Sequence, residues 1–331
     1  MNTTRRGRLR WIAPILAVAL AAVACSSSGE PRHDGDLVVQ LPGAERPTDF
    51  DDLTYATRIG RLLVPARDAG LYLADPVSGD TTRFDDLGSV DSAIEAGDVI
   101  VIVNRDRRRI AAIEPTTGRL LATAHTRSAP DYVRYVARVD EIWVTEKGDD
   151  AGIEIFTREP NALRATAFIA IPEEPEGLTI ADEEGRAYSH AADGNLVVID
   201  ITRRHVTKHY PTGCSGIHGI PAVDQRRGRV LAGCADDGRG VLLDTNSGRR
   251  VAEHEVGGGE ALMAHAPYGH FYLRSDPGTI IATLATDVDD TLRVVRRARA
   301  PRTGHCLTAD DSGHYWTCDA ERATVIRYAD R

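Results

Sequence analysis

The stretch "GRVLAGCADDGRGVLLDTNSGRRVAEHEVG", residues 228–257, contains one copy of a unit that recurs along the chain. It consists of an apolar stretch, a turn rich in Gly and Asp, a second apolar run that ends in Asp, and a Ser-Gly turn before a third stretch. Short segments rich in Val, Leu and Thr, bounded by Gly, Asp and Asn, are typical of antiparallel strands joined by tight turns. The unit therefore predicts β-hairpins.

Six further copies follow the same pattern. They span residues 60–85, 98–126, 140–172, 185–211, 269–298 and 313–330. The copies recur about every 39 to 45 residues with roughly four strands each, which is the period and strand count of a β-propeller. A β-sandwich would not keep one period along the whole chain. We therefore predict an all-β fold, a seven-bladed β-propeller.

The two ends of the repeat region predict how the ring closes. The last unit has only three strands, the third being "TVIRYA", residues 324–329. "DLVVQL", residues 36–41, precedes the first unit and has no hairpin partner of its own. We predict that this N-terminal strand completes the last blade, because the pairing covers sheet edges that would otherwise be exposed.

Residues 1–24 have the features of an export signal. Four arginines and no acid occupy the first ten residues, and the apolar run "WIAPILAVALAAVA" leads to Cys25. This run of about 14 residues is shorter than the roughly 20 that a spanning helix needs. The ending "AVAC" resembles the lipobox of bacterial lipoproteins, which implies that Cys25 is the lipidated first residue of the mature chain. The alternative is an ordinary cleaved signal peptide with an incidental cysteine.

Composition after the signal predicts a tether and limits the partners. Residues 25–35 are polar and without periodicity, so we expect a linker that joins the anchor to a propeller over residues 36–331. The whole chain has a net charge of −9, and loss of the four signal arginines leaves −13. An acidic surface excludes nucleic acid as a partner and disfavours electrostatic binding to anionic lipid. We expect a monomer that is bound through its lipid to the extracytoplasmic face of the cell membrane. Its partner is expected to be a small ligand or an envelope protein.

The four remaining cysteines are predicted to form two disulfides, since disulfides persist outside the cytoplasm. The hairpin "HCLTADDSGHYWTC", residues 305–318, places Cys306 opposite Cys318. Cys234 occupies the equivalent position of another unit, and Cys214 lies in the loop before that unit, so these two are expected to pair. Two alternatives for the second pair are a zinc site with His218, which requires reduced cysteines, and a redox dithiol, which would be expected as C-x-x-C.

A short motif recurs where the first strand of four successive units begins. An acid or a histidine is followed by a small residue and an aliphatic one, at Glu176, His218, Glu260 and His305. First strands line the channel of a propeller, so these side chains are expected to meet at one mouth. Histidine and carboxylate together suit zinc or another divalent cation. The alternative is a solvated acidic rim that binds nothing.

The first three units extend this ring, and Asp52, Asp91 and Asp131 are aligned at or near the same level. The resulting prediction is a ring of carboxylates interrupted by two histidines.

The repeats resemble a known family. "IWVTEKGD" (142–149), "IAAIEPTTGRLLATA" (110–124) and "GVLLDTNSGRRVAEHEVGGG" (240–259) are similar to the YVTN-type, seven-bladed propeller repeats of bacterial exported proteins. That family includes binding proteins, and related propellers include lyases, so the resemblance implies the fold more than an activity. "GCSGIHG" followed by "AGCADDG" is also similar to a segment of periplasmic propeller zinc metallochaperones, in which a disulfide flanks a histidine near the axis. Those chaperones also have a His-rich stretch near the start of the chain, and the counterpart of that stretch in this sequence is a single histidine, His33.

The function predicted from these observations is a lipid-anchored, non-enzymatic binding protein of the cell envelope. Its top face and channel mouth are expected to hold a small ligand, a divalent cation such as zinc, or a protein partner. A metal-dependent propeller lyase or hydrolase and a periplasmic zinc chaperone are the alternatives. The chain has no nucleophile elbow, HExxH, P-loop or dinucleotide fingerprint that would favour an enzyme.

Overall fold

The computed structural model describes Met1 and residues 33–267, 269–287 and 289–330. The predicted export signal beyond Met1, Cys25 and the tether up to residue 32 lie outside this range. No helix in the described range is both long and apolar enough to cross a bilayer.

The repeated hairpins form seven four-stranded antiparallel sheets within the described residues, which confirms the predicted propeller. We name them blades 1 to 7. Blade 1 contains β2 (Thr54–Ala56), β3 (Arg61–Pro65), β4 (Leu71–Ala74) and β5 (Thr81–Phe84). Blade 2 contains β6 (Ser92–Ala96), β7 (Val99–Asn104), β8 (Arg109–Ile113) and β9 (Leu120–His125). Blade 3 contains β10 (Ala129–Val136), β11 (Glu141–Lys147), β12 (Gly152–Glu159) and β13 (Ala162–Ala170), with a 3-10 turn at Ala137–Val139.

The remaining blades repeat the same order from the first strand to the fourth. Blade 4 contains β14 (Pro175–Ala181), β15 (Arg186–Ala191), β16 (Asn195–Asp200) and β17 (His205–Pro211). Blade 5 contains β18 (Ala222–Asp224), β19 (Arg229–Gly233), β20 (Arg239–Asp244) and β21 (Arg250–Glu255). Blade 6 contains β22 (Glu260–His265), β23 (His270–Asp276), β24 (Ile280–Thr286) and β25 (Leu292–Arg299). Blade 7 contains β26 (Leu307–Ala309), β27 (His314–Asp319), β28 (Thr324–Ala329) and β1 (Leu37–Gln40).

The ring closes as predicted, through the strand that precedes blade 1. β1 pairs antiparallel with β28, so that Leu37 lies opposite Arg327 and Gln40 opposite Thr324. The first strands of neighbouring blades also contact one another, from β2 and β6 around to β26 and β2. The first strands therefore line a central channel, and their beginnings form the channel mouth.

The core lies between the blades. Each neighbouring pair of blades encloses one cluster of buried apolar side chains, such as the cluster around Trp143 between blades 3 and 4 and that around Trp316 between blades 7 and 1. Middle strands are buried on both faces, which is why β7 reads "VIVIVN" without alternation, whereas the outermost strand β21 reads "RVAEHE" and is largely exposed. Burial of large apolar side chains contributes roughly 1.5–3 kcal/mol each, so the blade interfaces hold the ring together.

Candidate metal-binding site at the channel mouth

His218 lies in the loop between β17 and β18 and is held against the end of β19. Its backbone N–H donates to Gly233 O at 3.0 Å, and Ile217 forms an isolated bridge with Cys234. The next residue, Gly219, has a φ of 73°, a left-handed conformation that glycine adopts without strain. These contacts direct the His218 side chain to the mouth, where it remains 18% exposed.

A buried histidine supports the same loop from below. His190 is fully buried, its Nδ1 lies 2.8 Å from Gly219 O, and the backbone N–H of Gly233 donates to its Nε2 at 3.4 Å. His190 Nδ1 is therefore the protonated nitrogen, since a carbonyl oxygen only accepts. Burial lowers the pKa of His190 to about 3, so it is a neutral structural link and not a mouth ligand.

His305 directly precedes β26 in blade 7. The following residue, Cys306, is bonded to Cys318, and Thr317 Oγ1 donates to Cys306 O at 2.8 Å. His305 Nδ1 lies 3.3 Å from Asp276 Oδ2, at the end of β23. The carboxylate accepts from Nδ1 and so leaves Nε2 directed to the mouth.

Glu260 is the third group at this position. It begins β22, directly opposite Asp276 of β23, and its side chain is 45% exposed. Gly257 and Gly259 precede it with positive φ values of 127° and 111°, which an L side chain rarely adopts. The glycines let the chain turn sharply into the strand and bring the carboxylate over the mouth.

These three side chains converge. The Nε2 atoms of His218 and His305 are 3.1 Å apart, and Glu260 Oε2 lies 3.3 Å from His218 Nε2. The imidazole centroids are 4.8 Å apart with an interplanar angle of 62°. One ligand atom from each of the three residues lies within 4.8 Å of the other two. The predicted fourth member, Glu176, is more distant, with its Oε1 4.0 Å from His218 Nδ1.

The two histidines differ electrostatically. Burial, followed by the charge of His305, lowers the pKa of His218 to about 4. Burial also opposes protonation of His305, but its hydrogen bond to Asp276 and the charges of Asp51 and Glu260 outweigh this effect and raise its pKa. His218 is therefore the neutral imidazole of the pair near neutral pH, and His305 is the one that takes up a proton more readily.

The side of the mouth formed by blades 1 to 3 has a different chemistry. Arg67 donates to Asp51 and Asp91, each at 3.1 Å, and Arg105 donates to Asp51 at 2.9 Å. Arg105 also pairs with the buried Asp131. Each of these carboxylates thus has a guanidinium partner.

A lysine extends this network to blade 4. Lys147 lies 2.9 Å from Asp131 Oδ2 and also pairs with Glu176. Glu176 is therefore at the mouth as predicted, but its carboxylate is engaged by a cation. The predicted ring of carboxylates interrupted by two histidines therefore also contains three cations.

The alignment of blade 1 is also corrected by one residue. Asp52 is fully buried, accepts two hydrogen bonds from Arg134 at 2.8 and 3.1 Å, and does not line the mouth. Its neighbour Asp51 does. Adjacent side chains of an extended segment point to opposite sides, so a slip of one residue in the alignment exchanges a mouth residue for a buried one.

The mouth opens into a cavity of about 330 Å³. Below it the channel narrows to a void of about 10 Å³ among Leu53, Ile220, Leu262 and Leu307. The narrow floor confines a bound ion or small ligand to the mouth. A larger cavity of about 450 Å³ beside blade 1 shares Asp49 and Arg67 with the mouth, but its lining includes no histidine.

Both predicted cysteine pairs are bonded. The Cα atoms of Cys214 and Cys234 are 5.3 Å apart and those of Cys306 and Cys318 are 5.8 Å apart, as expected for disulfides. Each bridge lies beside one of the two mouth histidines. The opposite placement of Cys306 and Cys318 follows the predicted hairpin register, since Leu307 pairs with Thr317.

Sequence reasoning missed five residues that shape the mouth, and a signal for four of them is present. Arg67, Arg105, Lys147 and Asp276 all lie at or just after the end of the second strand of a blade, which is the same level as the beginning of the first strand. Comparing that position between repeats would have separated the cationic blades 1 to 3 from the acidic position in blade 6. Asp51 was missed through the one-residue slip.

Comparison with known proteins identifies the fold. No protein-family model and no curated protein matches the chain. A chain from the crystal structure of the mitotic checkpoint complex is similar, with a TM-score of 0.75 at 13% identity over 96% of this chain and 98% of that one. The crystal structure of the RRP9 WD40 repeats has a TM-score of 0.72 at 12% identity, over 91% of this chain and 100% of that one. The structure of U3-55K has a TM-score of 0.71 at 12% identity, over 88% of this chain and 98% of that one. At such identities the likeness shows the propeller alone, and the resemblance to YVTN-type repeats stays a prediction.

Proposed function

We propose that this chain is a lipid-anchored, non-enzymatic binding protein of the cell envelope that holds a divalent cation, with zinc as the first candidate, at the mouth of its propeller. The observation that carries the proposal is the convergence of His218 Nε2, His305 Nε2 and a Glu260 oxygen in one half of the mouth.

Two of the three spacings among these side chains fit zinc, whereas Glu260 Oε2 contacts His305 at Nδ1, 3.6 Å away. In a tetrahedral site with bonds of about 2.0–2.1 Å, neighbouring ligand atoms lie about 3.3 Å apart. The observed separations are 3.1 Å between the two Nε2 atoms and 3.3 Å between His218 Nε2 and Glu260 Oε2. Two imidazoles and one carboxylate are a common zinc set, and three protein ligands leave a coordination position for water or an exogenous ligand.

The surroundings also favour a cation. Asp276 accepts from His305 Nδ1, which is the arrangement that orients ligating histidines and increases their basicity. Within the described range, no lysine or arginine forms an ion pair with Glu260 or Asp276. The mature charge of −13 expected after loss of the signal arginines further attracts cations.

The cellular location is part of the proposal. The lipobox-like ending at Cys25 supports anchoring on the extracytoplasmic face of the membrane, and two disulfides suit an oxidising compartment. Replacing Cys25 with Ala should move the protein from the membrane fraction to the soluble fraction, or leave the precursor unprocessed. Unchanged processing together with unchanged membrane association would reject the anchor.

Zinc calorimetry on the purified protein near neutral pH tests the site. We expect saturable binding of one zinc per chain, and a loss of at least about 100-fold in affinity for the double variant His218→Ala/His305→Ala, because even outer partners of a metal site are worth 10–100-fold. The matched control is His205→Ala/His209→Ala on the exposed outer strand β17, which should bind like the native protein. No saturable binding by the native protein, or equal binding by the mouth variant, would overturn the proposal.

A further inference from the structure

We propose that the Cys214–Cys234 disulfide is a redox latch on the cation site. Its reduction releases the loop that carries His218 and lowers the affinity of the mouth for zinc, while the Cys306–Cys318 bridge stays closed. This inference rests on the proposed cation site.

The loop that carries His218 is otherwise attached through hydrogen bonds, including those from His190 to Gly219 O and from Ser215 Oγ to Asp236. Residues 212–221 contain no strand, and β18, which follows, is only three residues long. Two backbone hydrogen bonds join the loop to the end of β19, from His218 N to Gly233 O and from Ala235 N to Gly216 O, both at 3.0 Å. Apart from the peptide backbone, the disulfide is the covalent link between this loop and the rest of blade 5.

Access distinguishes the two bridges. Cys214 is partly exposed, although Cys234 is only 2% exposed, whereas Cys306 and Cys318 are 2% and 0% exposed. Thiol–disulfide exchange requires a thiolate to reach one of the two sulfurs. Residue exposure therefore favours approach of a reductant to Cys214 over approach to the blade 7 bridge, whose two cysteines are both buried.

The chemical step needs a dithiol reductant of the cell envelope or its laboratory equivalent. A thiolate of the dithiol attacks Cys214 Sγ, the bond between the two protein sulfurs breaks, and Cys234 leaves as a thiolate that takes up a proton. The second thiol of the reductant then attacks the mixed disulfide and frees Cys214 as a thiol. The protein gains two electrons and two protons, and the reductant becomes a disulfide.

The released thiols would not replace His218 as ligands. Cys234 lies opposite Ile217 and packs in the apolar cluster between blades 4 and 5, and Cys214 packs against the same cluster. His218 is the next residue along the loop and faces the mouth, since neighbouring residues of an extended segment point to opposite sides. Reduction therefore loosens a ligand of the site without supplying a new one.

The test compares zinc affinity before and after the latch is opened. The native protein is treated with a dithiol reductant under native conditions, the reductant is removed, and peptide mapping establishes which bridge has opened. The double variant Cys214→Ser/Cys234→Ser removes the latch permanently. We expect the Kd for zinc to rise at least about tenfold in both samples, with Cys306–Cys318 intact in both. Native affinity with Cys214–Cys234 open, or opening of both bridges at the same rate, would overturn the latch.

Hydrogen exchange gives a readout that does not depend on metal. Opening the latch should speed exchange of the His218 backbone N–H and leave that of Thr317, beside the buried bridge, unchanged. If the native protein binds no zinc, the proposed cation site is rejected and the latch is tested by hydrogen exchange alone. Faster exchange at the His218 N–H on reduction then supports the latch, and unchanged exchange rejects it. If the double variant does not fold, the zinc affinity and hydrogen exchange of the reductant-treated native protein provide the same test.

Discussion

The two halves of the channel mouth lie at one level of the ring but differ in what their carboxylates contact. In blades 1 to 3, Asp51 and Asp131 are paired with Arg67, Arg105 and Lys147. In blades 5 to 7, Glu260 faces His218 and His305. Acidic residues at a propeller mouth are therefore not by themselves a ligand set. What separates the halves is whether a cation stands at or just after the end of the second strand of the blade.

The ion-pair half is organised by burial and mutual attraction. Burial opposes the charge of Arg105, but Asp131, Asp51 and Asp91 outweigh it and raise the pKa of the guanidinium further. Burial and the nearby Asp131 raise the pKa of Asp51, while Arg105 and Arg67 act in the opposite direction. The cations thus hold the buried carboxylates in place. A metal could bind these carboxylates only by displacing the cations that pair with them.

The largest expected effect comes from breaking the ion-pair half. Arg105→Met removes a partner from two buried carboxylates, and breaking a buried ion pair costs about 3–5 kcal/mol. We expect a loss near 3 kcal/mol in the free energy of unfolding, because Arg67 and Lys147 still contact Asp51 and Asp131. Urea denaturation measures it, with the exposed Arg119→Met in the same blade as control.

The zinc affinity of the folded Arg105→Met protein should equal that of the native protein. A loss of zinc binding comparable to that of the histidine variant would mean that the two halves act as one site, and the comparison would fail.

The next effect separates two glutamates that belong to the same sequence motif. Glu260→Gln should weaken zinc binding by about 100-fold, equivalent to about 2.7 kcal/mol, because it removes a charged ligand. Glu176→Gln should change the affinity by less than about threefold, since its carboxylate is held by Lys147. Calorimetry on both variants decides: equal losses would show that Glu176 leaves Lys147 to bind the metal.

A pH-dependent effect concerns a carboxyl pair beside the ion-pair half. Glu146 and Glu154 are buried on neighbouring strands of blade 3, where they accept backbone N–H groups of Ser128 and Arg127 at 2.9 and 3.1 Å. Within the described residues no cation pairs with either one. Burial, followed by the hydrogen bond and charge of Glu154, raises the pKa of Glu146 from 4.5 to about 8. Where a cation is lacking, the protein retains a proton.

This proton makes stability depend on pH. Between the ordinary pKa of 4.5 and the folded value of about 8, the native state holds a proton that the unfolded chain has lost. Stability should therefore fall as pH rises through this window and level off above about pH 8. Glu146→Gln should remove this component, and the exposed Glu255→Gln should retain it. Urea midpoints at pH 5.5, 7 and 8.5 provide the test; identical pH profiles for the native and Glu146→Gln proteins would show that Glu146 is ionised.

The sequence alone determined the fold, because every blade uses the same local chemistry. Strand residues between glycine and aspartate turns recur with one period, and the unpaired segment at residues 36–41 had only one sheet edge to complete. The register of the hairpin from His305 to Cys318 was equally local, so its disulfide was predictable.

Only the tertiary structure decided which mouth residues are available to a ligand. Glu176 and Glu260 occupy equivalent positions, and what distinguishes them is Lys147, which lies 29 residues from Glu176 in the neighbouring blade. Likewise, the approach of His218 to His305 spans 87 residues and depends on the closure of the ring. Strand patterns are set by neighbours along the chain, whereas the pairing of charges depends on distances across the ring. These distances exist only after the blades have packed.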